Sequence, residues 1–233
     1  MPTEPEKSPE PPKETARIEA FSDGVFAIAI TLLILELKVQ PLAKPTSSAL
    51  LKALAREWPS YFALLTSFGS ILIMWVHHHA IFRLARKADA PLLFANGFLL
   101  LMVTIVPYPT AVVAGYLTTP AARVAAFFYC AIFFVLALSF YVLLRVVLRQ
   151  CTLSGPMVER LRRGYRFGPP SYLIATLVAP LSAWIALGIC TLLWIYWGLM
   201  AARLEPCDDD NASAQPHAPD VPNSAASSPN CDS

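Results

Sequence analysis

Three groups of polar side chains interrupt the apolar stretches of this sequence, and their residue types could carry chemistry. Asp23 lies within RIEAFSDGVFAIAITLLILELKV, the consecutive His77, His78 and His79 end a second apolar stretch, and Asn96 lies in a third. A charge inside an apolar helix is costly and tends to mark function. Histidine titrates near neutral pH and suits proton transfer, whereas a carboxylate can contact a permeating cation. The same groups can also serve only as hydrogen-bonding partners between helices.

Metal or enzyme chemistry has little support in this pattern. Side chains of consecutive residues point about 100° apart on a helix, so the three histidines cannot all ligate one metal ion. The sequence has no H-E-x-x-H arrangement, nucleophile elbow, phosphate loop or cofactor fingerprint. We therefore expect no enzyme activity, no catalytic residues, no cofactor and no metal site. The net charge of +2 gives no reason to expect a nucleic-acid partner.

The composition places these polar groups in a lipid bilayer. Of the 233 residues, 56% are hydrophobic and 15% are charged, whereas soluble domains carry about 25% charged residues. The polar, proline-containing segments 1–16 and 204–233 have too little apolar surface to offset the entropy of ordering, which predicts disordered tails. The folded transmembrane domain is therefore expected at 17–203.

Five apolar segments are long enough to cross a bilayer, which takes about 20 residues, and the last is just long enough for two short crossings. Pro107 and Pro109 are expected to kink or end the third segment, and Thr119 followed by Pro120 is typical of the start of the fourth. The final apolar segment has 36 residues, is too long for one crossing and divides near Pro180. The sequence thus predicts an all-α membrane protein with six transmembrane helices, at 20–39, 58–81, 91 to about 110, 121–147, and two within 167–202.

The distribution of positive charge gives the orientation of these helices. With six spans and a cytoplasmic N-terminus, all but five of the 18 Lys and Arg residues fall on the cytoplasmic side, as the positive-inside rule requires. Both termini are then cytoplasmic, and the chain lies in the cell (plasma) membrane. A five-span chain with the last segment unsplit would put the C-terminal tail outside; the charge count barely separates the two, since only Arg203 changes side, and segment length favours six spans. The start of the first span, the end of the second and the start of the third share one depth. A polar cluster there would join the three spans or, through Asp23, contact ions; its expected members are Arg17, Ser22, Asp23, His77, His78, His79 and Asn96.

Beyond this polar start, an apolar stripe follows one face of the first helix. Ile28, Leu32 and Leu35 recur at i, i+4 and i+7, with Thr31 beside them. By periodicity alone, such a stripe favours an interface with another helix over a functional surface.

The opening of the first span resembles a known family. RIEAFSDGVFAIAITLLILEL is similar to the R-x-x-x-F-S-D signature of bacterial potassium channels related to transmembrane protein 175, the endosomal and lysosomal potassium channel. Arg17, Phe21, Ser22 and Asp23 fill its fixed positions, so Phe21 is counted with the expected polar cluster. The likeness continues through WVHHHAIFRLARKADAPLLFANGFLLLMVTIVPYPTAVV, which is similar to the family's second and third helices.

The resemblance implies a homotetramer in which each chain supplies one six-helix repeat and the first helix lines a central pore. In that family, side chains of the first helix form apolar constrictions. The matching positions here are Ile28, Leu32 and Leu35, with Thr31 as a polar ring. We expect potassium and other monovalent cations to permeate with weak selectivity, because an apolar ring offers no charge or carbonyl cage.

Two other functions fit the same residues. Asp23 and the three histidines could instead serve a proton-coupled secondary transporter or a proton-conducting membrane protein, although the sequence shows no inverted repeat. A membrane scaffold without transport would need no pore. In a channel, Asp23 and Glu36 would raise the local cation concentration at the two mouths if they face water.

Overall fold

The computed structural model describes residues 14–38, 41–150 and 156–202, and every regular element within these ranges is helical. Most of the expected tails, 1–16 and 204–233, lies outside the described residues, although 14–16 form the first turn of a helix. The helices are α1 (Glu14–Leu32), α2 (Ser47–Arg56), α3 (Trp58–Phe82), α4 (Ala90–Ile105), α5 (Pro107–Tyr116), α6 (Ala122–Gln150), α7 (Pro156–Val178) and α8 (Ala183–Ala202), and a short 3-10 helix, Leu33–Glu36, continues α1.

Five of these helical segments are long and apolar enough to cross a membrane. They are α1 with its 3-10 extension, α3, α4 together with α5, α6, and α8. These five agree with five of the six segments expected from the sequence. The exception is α7, because only its second half, 167–178, is apolar, whereas Arg162, Arg163 and Arg166 charge its first half.

Proline and capping side chains set the ends of the third segment. At the start of α4, Asp89 Oδ1 accepts a hydrogen bond from the backbone N–H of Leu92 at 3.0 Å, which satisfies one of the free amides of the first turn. Val106, whose backbone angles stay helical, separates α4 from α5, and Pro107 then begins α5. Proline therefore divides this segment without ending it, and the helix extends to Tyr116, beyond the end expected from the sequence.

The packing centre is α6, and α1 lies at the edge of the chain. Helix α6 contacts α4, α5, α7 and α8, whereas α1 packs mainly against α3 and α4. Of the five candidate spans, α1 is the least buried: 22% of its central apolar stretch is buried, against 28% to 44% for the others. A single chain therefore leaves much of the surface of α1 without a protein neighbour.

Close packing between α3 and α8 depends on a glycine. A Cβ atom added at Gly69 would overlap the indole ring of Trp194, which lies directly against the α3 backbone at that point. Small residues at such interfaces let two membrane helices approach closely. The absence of a side chain at Gly69 thus makes room for Trp194.

Replacing Gly69 with Ala is expected to destabilise the fold by about 1–3 kcal/mol, because the new methyl group overpacks the α3–α8 interface. Thermal unfolding of the purified protein in detergent measures the effect. Gly115→Ala is the matched control, since a Cβ there meets nothing within 4 Å. Adding Trp194→Leu should restore part of the loss; equal destabilisation by both glycine variants would contradict this account.

Candidate functional site

A buried chain of hydrogen bonds between Ser22, Asn96 and His78, here called the anchor network, ties α1 to α4 and α3. His78 Nε2 donates to Asn96 Oδ1 at 2.9 Å, and Asn96 Nδ2 donates to Ser22 Oγ at 2.9 Å. Ser22 Oγ in turn donates to the Ile18 carbonyl at 2.8 Å. Because Asn96 Oδ1 can only accept, His78 Nε2 carries the hydrogen, and all the bonds run in one direction. Hydrogen bonds chained in this way strengthen one another in a low-dielectric interior.

Aromatic rings fix the orientation of the His78 imidazole. It stacks on Phe82 with ring centroids 4.3 Å apart, and Phe26 of α1 lies at 5.3 Å on a tilted plane. Both phenylalanines are buried. The His78 ring is therefore held for hydrogen bonding to Asn96 by contacts from two helices.

Two further polar contacts join α1 to α3, one helical turn apart. Asp23 Oδ1 accepts a hydrogen bond from Trp75 Nε1 at 2.8 Å, and Glu19 Oε1 lies 2.5 Å from His79 Nδ1. Glu19 precedes Asp23 by four residues, and His79 follows Trp75 by four, as expected for two antiparallel helices in register. These contacts are less enclosed than the anchor network, since the His79 side chain is 45% exposed.

The three consecutive histidines contact three different helices. His77 Nε2 donates to the Trp197 carbonyl of α8 at 3.1 Å, His78 bonds Asn96 of α4, and His79 meets Glu19 of α1. This divergence follows from the 100° step between successive helical residues. The three histidines therefore connect one end of α3 to three neighbouring helices, and they do not form one shared site.

The expected polar cluster is thus divided. Ser22, His78 and Asn96 are brought together and buried, whereas Asp23 is half-buried and bonds Trp75. Among the residues of the described ranges, Arg17 and Asp23 form no ion pair with each other. The other expected members lie elsewhere: His79 beside Glu19, His77 on the opposite side of α3, and Arg17 and Phe21 exposed at the start of α1.

Two contacting residues, Glu19 and Trp75, were missed by reasoning from the sequence. Each lies one helical turn from a residue that was selected, Glu19 before Asp23 and Trp75 before His79. Residues four apart on a helix share a face. Including the polar side chain one helical turn before Asp23 on α1 and before His79 on α3 would have identified both residues.

Helix α1 and its 3-10 extension have one buried and one open face. Ile28, Leu32 and Leu35 are 59%, 40% and 61% exposed, and Thr31 is exposed between them. The Thr31 hydroxyl donates to the Ile28 carbonyl at 2.9 Å. The apolar stripe seen in the sequence is therefore the face that the single chain leaves uncovered, opposite the buried Ser22, Phe26, Ala29 and Leu33.

The chain is similar to proteins of one ion-channel family. Residues 17–107 match the family described as "Endosomal/lysosomal potassium channel TMEM175". A potassium channel of Chamaesiphon minutus is 47% identical, over 80% of this chain and 94% of that protein, and a potassium channel of Streptomyces collinus is 41% identical, over 79% and 92%. The crystal structure of a lysosomal potassium-selective channel TMEM175 homolog from Chamaesiphon minutus matches with a TM-score of 0.73 and 48% identity, covering 81% of this chain and 98% of that one.

These likenesses extend over nearly the whole length of both bacterial relatives. The chain belongs to the TMEM175 family. It is accordingly a multi-pass membrane protein of an ion-channel family and not an enzyme. The R-x-x-x-F-S-D resemblance is thus confirmed, and the matched segment contains the anchor network and both α1–α3 contacts.

Replacing either Ser22 or Asn96 with Ala is expected to destabilise the protein by about 1–3 kcal/mol, because each variant leaves a buried polar partner unsatisfied. The double variant should lose less than the sum of the two, since one shared hydrogen bond is removed in both. Thermal unfolding in detergent of the two single variants and the double variant measures this coupling.

The control for this cycle is Thr104→Val on α4. Thr104 is exposed, and its hydroxyl bonds only the Leu101 carbonyl of its own helix. Its replacement should change stability by no more than about 0.5 kcal/mol. Strictly additive losses at Ser22 and Asn96 would count against the anchor network.

Proposed function

We propose that this chain forms a homotetrameric, potassium-permeable and weakly selective cation channel, in which α1 lines a central pore. The observation that carries the proposal is the uncovered apolar face of α1 in the single chain. In a cyclic assembly every subunit presents the same surface to the axis. The names of the bacterial relatives, both potassium channels, support potassium as the permeating ion.

The proposed constrictions are rings of Ile28, Leu32 and Leu35. A narrow apolar ring excludes water until it widens, so it can gate by dewetting. Such a ring has no charge to bind a dehydrated ion, which limits discrimination between potassium and other monovalent cations. Thr31 would add a polar ring between the apolar ones, because its hydroxyl oxygen can still accept a hydrogen bond while it donates to Ile28.

We also propose that α7 is the sixth membrane crossing. Its apolar half, 167–178, packs along α6 and α8 and, with the residues up to Ser182 that precede α8, would make a crossing shorter than the usual 20 or so residues. Its charged half would lie at the membrane surface. Six crossings place both termini on one side of the membrane. The excess of Lys and Arg supports a cytoplasmic position for that side, with the channel in the plasma membrane.

A proton-coupled transporter that uses the histidines and Asp23 is less well supported. The three histidines contact α8, α4 and α1 separately, and the Asp23 carboxylate bonds Trp75. His78 and Asn96 are occupied in holding α1. These polar groups thus fit a structural role in positioning the pore helix better than a relay of protons.

Replacing Ile28 with Asn is expected to increase potassium conductance about tenfold, because a polar ring stays hydrated and lowers the barrier by roughly 1.4 kcal/mol. The potassium-to-sodium permeability ratio should fall toward one. Currents from purified protein in planar bilayers under a potassium gradient give both quantities.

The matched control is Ile185→Asn on α8, where the isoleucine is 60% exposed, almost the same as Ile28. It should leave conductance and selectivity unchanged, because α8 would face lipid. Unaltered currents in Ile28→Asn would move the constriction elsewhere. A wild-type protein without a potassium-directed reversal potential would overturn the channel itself.

The assembly is tested separately by the mass of the purified protein. Four chains of 25.5 kDa each give about 102 kDa. Native mass spectrometry should show this species, and chemical cross-linking in detergent should stop at four subunits. A monomer or dimer as the largest species would exclude a central four-fold pore.

A further inference from the structure

A basic groove lies between the end of α6 and the start of α7, separate from the proposed pore helix. Its volume is about 530 Å³, within the range of roughly 300–1,000 Å³ typical of ligand sites. Tyr141, Arg145, Leu148 and Arg149 of α6 and Arg162 and Arg166 of α7 line it. The groove thus joins four guanidinium groups to an aromatic and an aliphatic side chain.

The four arginines form two pairs with helical spacing. Arg145 and Arg149 are four residues apart on α6, and Arg162 and Arg166 are four apart on α7. Like charges at this spacing destabilise a helix, and here two such pairs line one groove and are exposed. A bound anion would offset this repulsion, because each arginine would be attracted to the negative charge between them.

The carboxylates near the groove do not balance this charge. Glu159 lies 3.8 Å from Arg162 and 3.9 Å from Arg163, so one exposed acid is shared between two arginines. Across the described ranges, Arg145, Arg149 and Arg166 form no ion pair within 4 Å. Arg145 is instead oriented by a hydrogen bond of 3.1 Å that its Nη1 donates to the Tyr141 hydroxyl.

The groove lies at the level of the lipid headgroups. Between Arg123 and Arg145, α6 has 21 residues without a charge, which span about 31 Å at 1.5 Å per residue and match a hydrocarbon core of about 30 Å. Arg145 therefore marks the boundary of the core, and Arg149 lies about 6 Å further out. On α7, Arg166 directly precedes the apolar residues 167–178 and marks the same boundary.

We propose that this groove binds the phosphate headgroup of an anionic phospholipid. Arginine forks bind phosphate oxygens in a bidentate way, and basic pockets between transmembrane helices suit anionic headgroups. Tyr141 and Leu148 offer the apolar contact that a lipid needs and a soluble anion does not. The bound lipid holds the ends of α6 and α7 together, independently of whether α1 forms a pore.

The experiment adds phosphatidylglycerol to the full-length protein in detergent, or phosphatidylcholine at the same mole fraction, and measures the midpoint of thermal unfolding. Phosphatidylglycerol should raise the midpoint of the wild type by about 2–4 °C more than phosphatidylcholine does. The double variant Arg145→Gln, Arg166→Gln should lose this difference. Because both side chains are exposed and their removal relieves repulsion, we expect the variant to fold as well as the wild type in phosphatidylcholine.

The charge-matched control is the double variant Arg83→Gln, Arg86→Gln, which removes two exposed arginines that do not line the groove. It should keep the full effect of phosphatidylglycerol. Equal loss in this control would assign the effect to general surface charge and overturn the site. No difference between the two lipids for the wild type would overturn it as well.

Two further arms complete the test. Inorganic phosphate, at the same anion concentration, should not reproduce the shift; if it does, the ligand is a free anion and not a lipid. Native mass spectrometry should retain phosphatidylglycerol on the wild type and on the Arg83, Arg86 variant. Retention on the Arg145, Arg166 variant at the wild-type level would contradict the proposal whatever the unfolding midpoints.

Discussion

A bilayer offers no water to polar groups, so hydrogen-bond partners within the protein stabilise them, and this constraint fixes how α1 sits in the chain. The anchor network holds Ser22 toward α4, which sets the rotation of α1 about its own axis. Phe26, Ala29 and Leu33 recur on the same side as Ser22 and turn inward. The side that carries Ile28 is then the open one. Polar contacts near one end of the helix thereby decide which apolar side chains are uncovered further along it.

Helix α3 connects this first helix to the rest of the fold. Toward α8, the backbone at Gly69 accepts the ring of Trp194, and His77 bonds the Trp197 carbonyl. Toward α1, His79 and Trp75 make polar contacts with partners one turn apart. The two sides differ in burial, because His77 is enclosed whereas His79 is nearly half exposed. Helices α6, α7 and α8 thus form the packed part of the chain, and α3 connects α1 to the edge of this bundle.

Much of this arrangement can be predicted from the sequence, because it depends on local spacing. The i, i+4, i+7 pattern of Ile28, Leu32 and Leu35 identified a single face, and Pro107 marked the division of the third segment. Hydrogen-bond partners are harder to predict from the sequence, since they depend on how neighbouring helices are rotated about their axes. Sequence spacing showed that the three histidines diverge, but not that His78 meets Asn96. The sixth span that the sequence predicts within 167–202 is not among the five helical segments long and apolar enough to cross a membrane, because the first half of α7 is charged and its apolar half has twelve residues.

The tighter winding at the end of the first helix has a consequence for its charge. In a 3-10 helix, side chains three residues apart are eclipsed along the axis. Within Leu33–Glu36, Glu36 therefore aligns with the buried Leu33, and Leu35 continues the line of Leu32. Glu36 is half-buried. The 3-10 geometry thus places Glu36 on the same side as the buried Leu33. On the exposed side of this last turn, the apolar Leu35 and not the acid continues the line of Leu32.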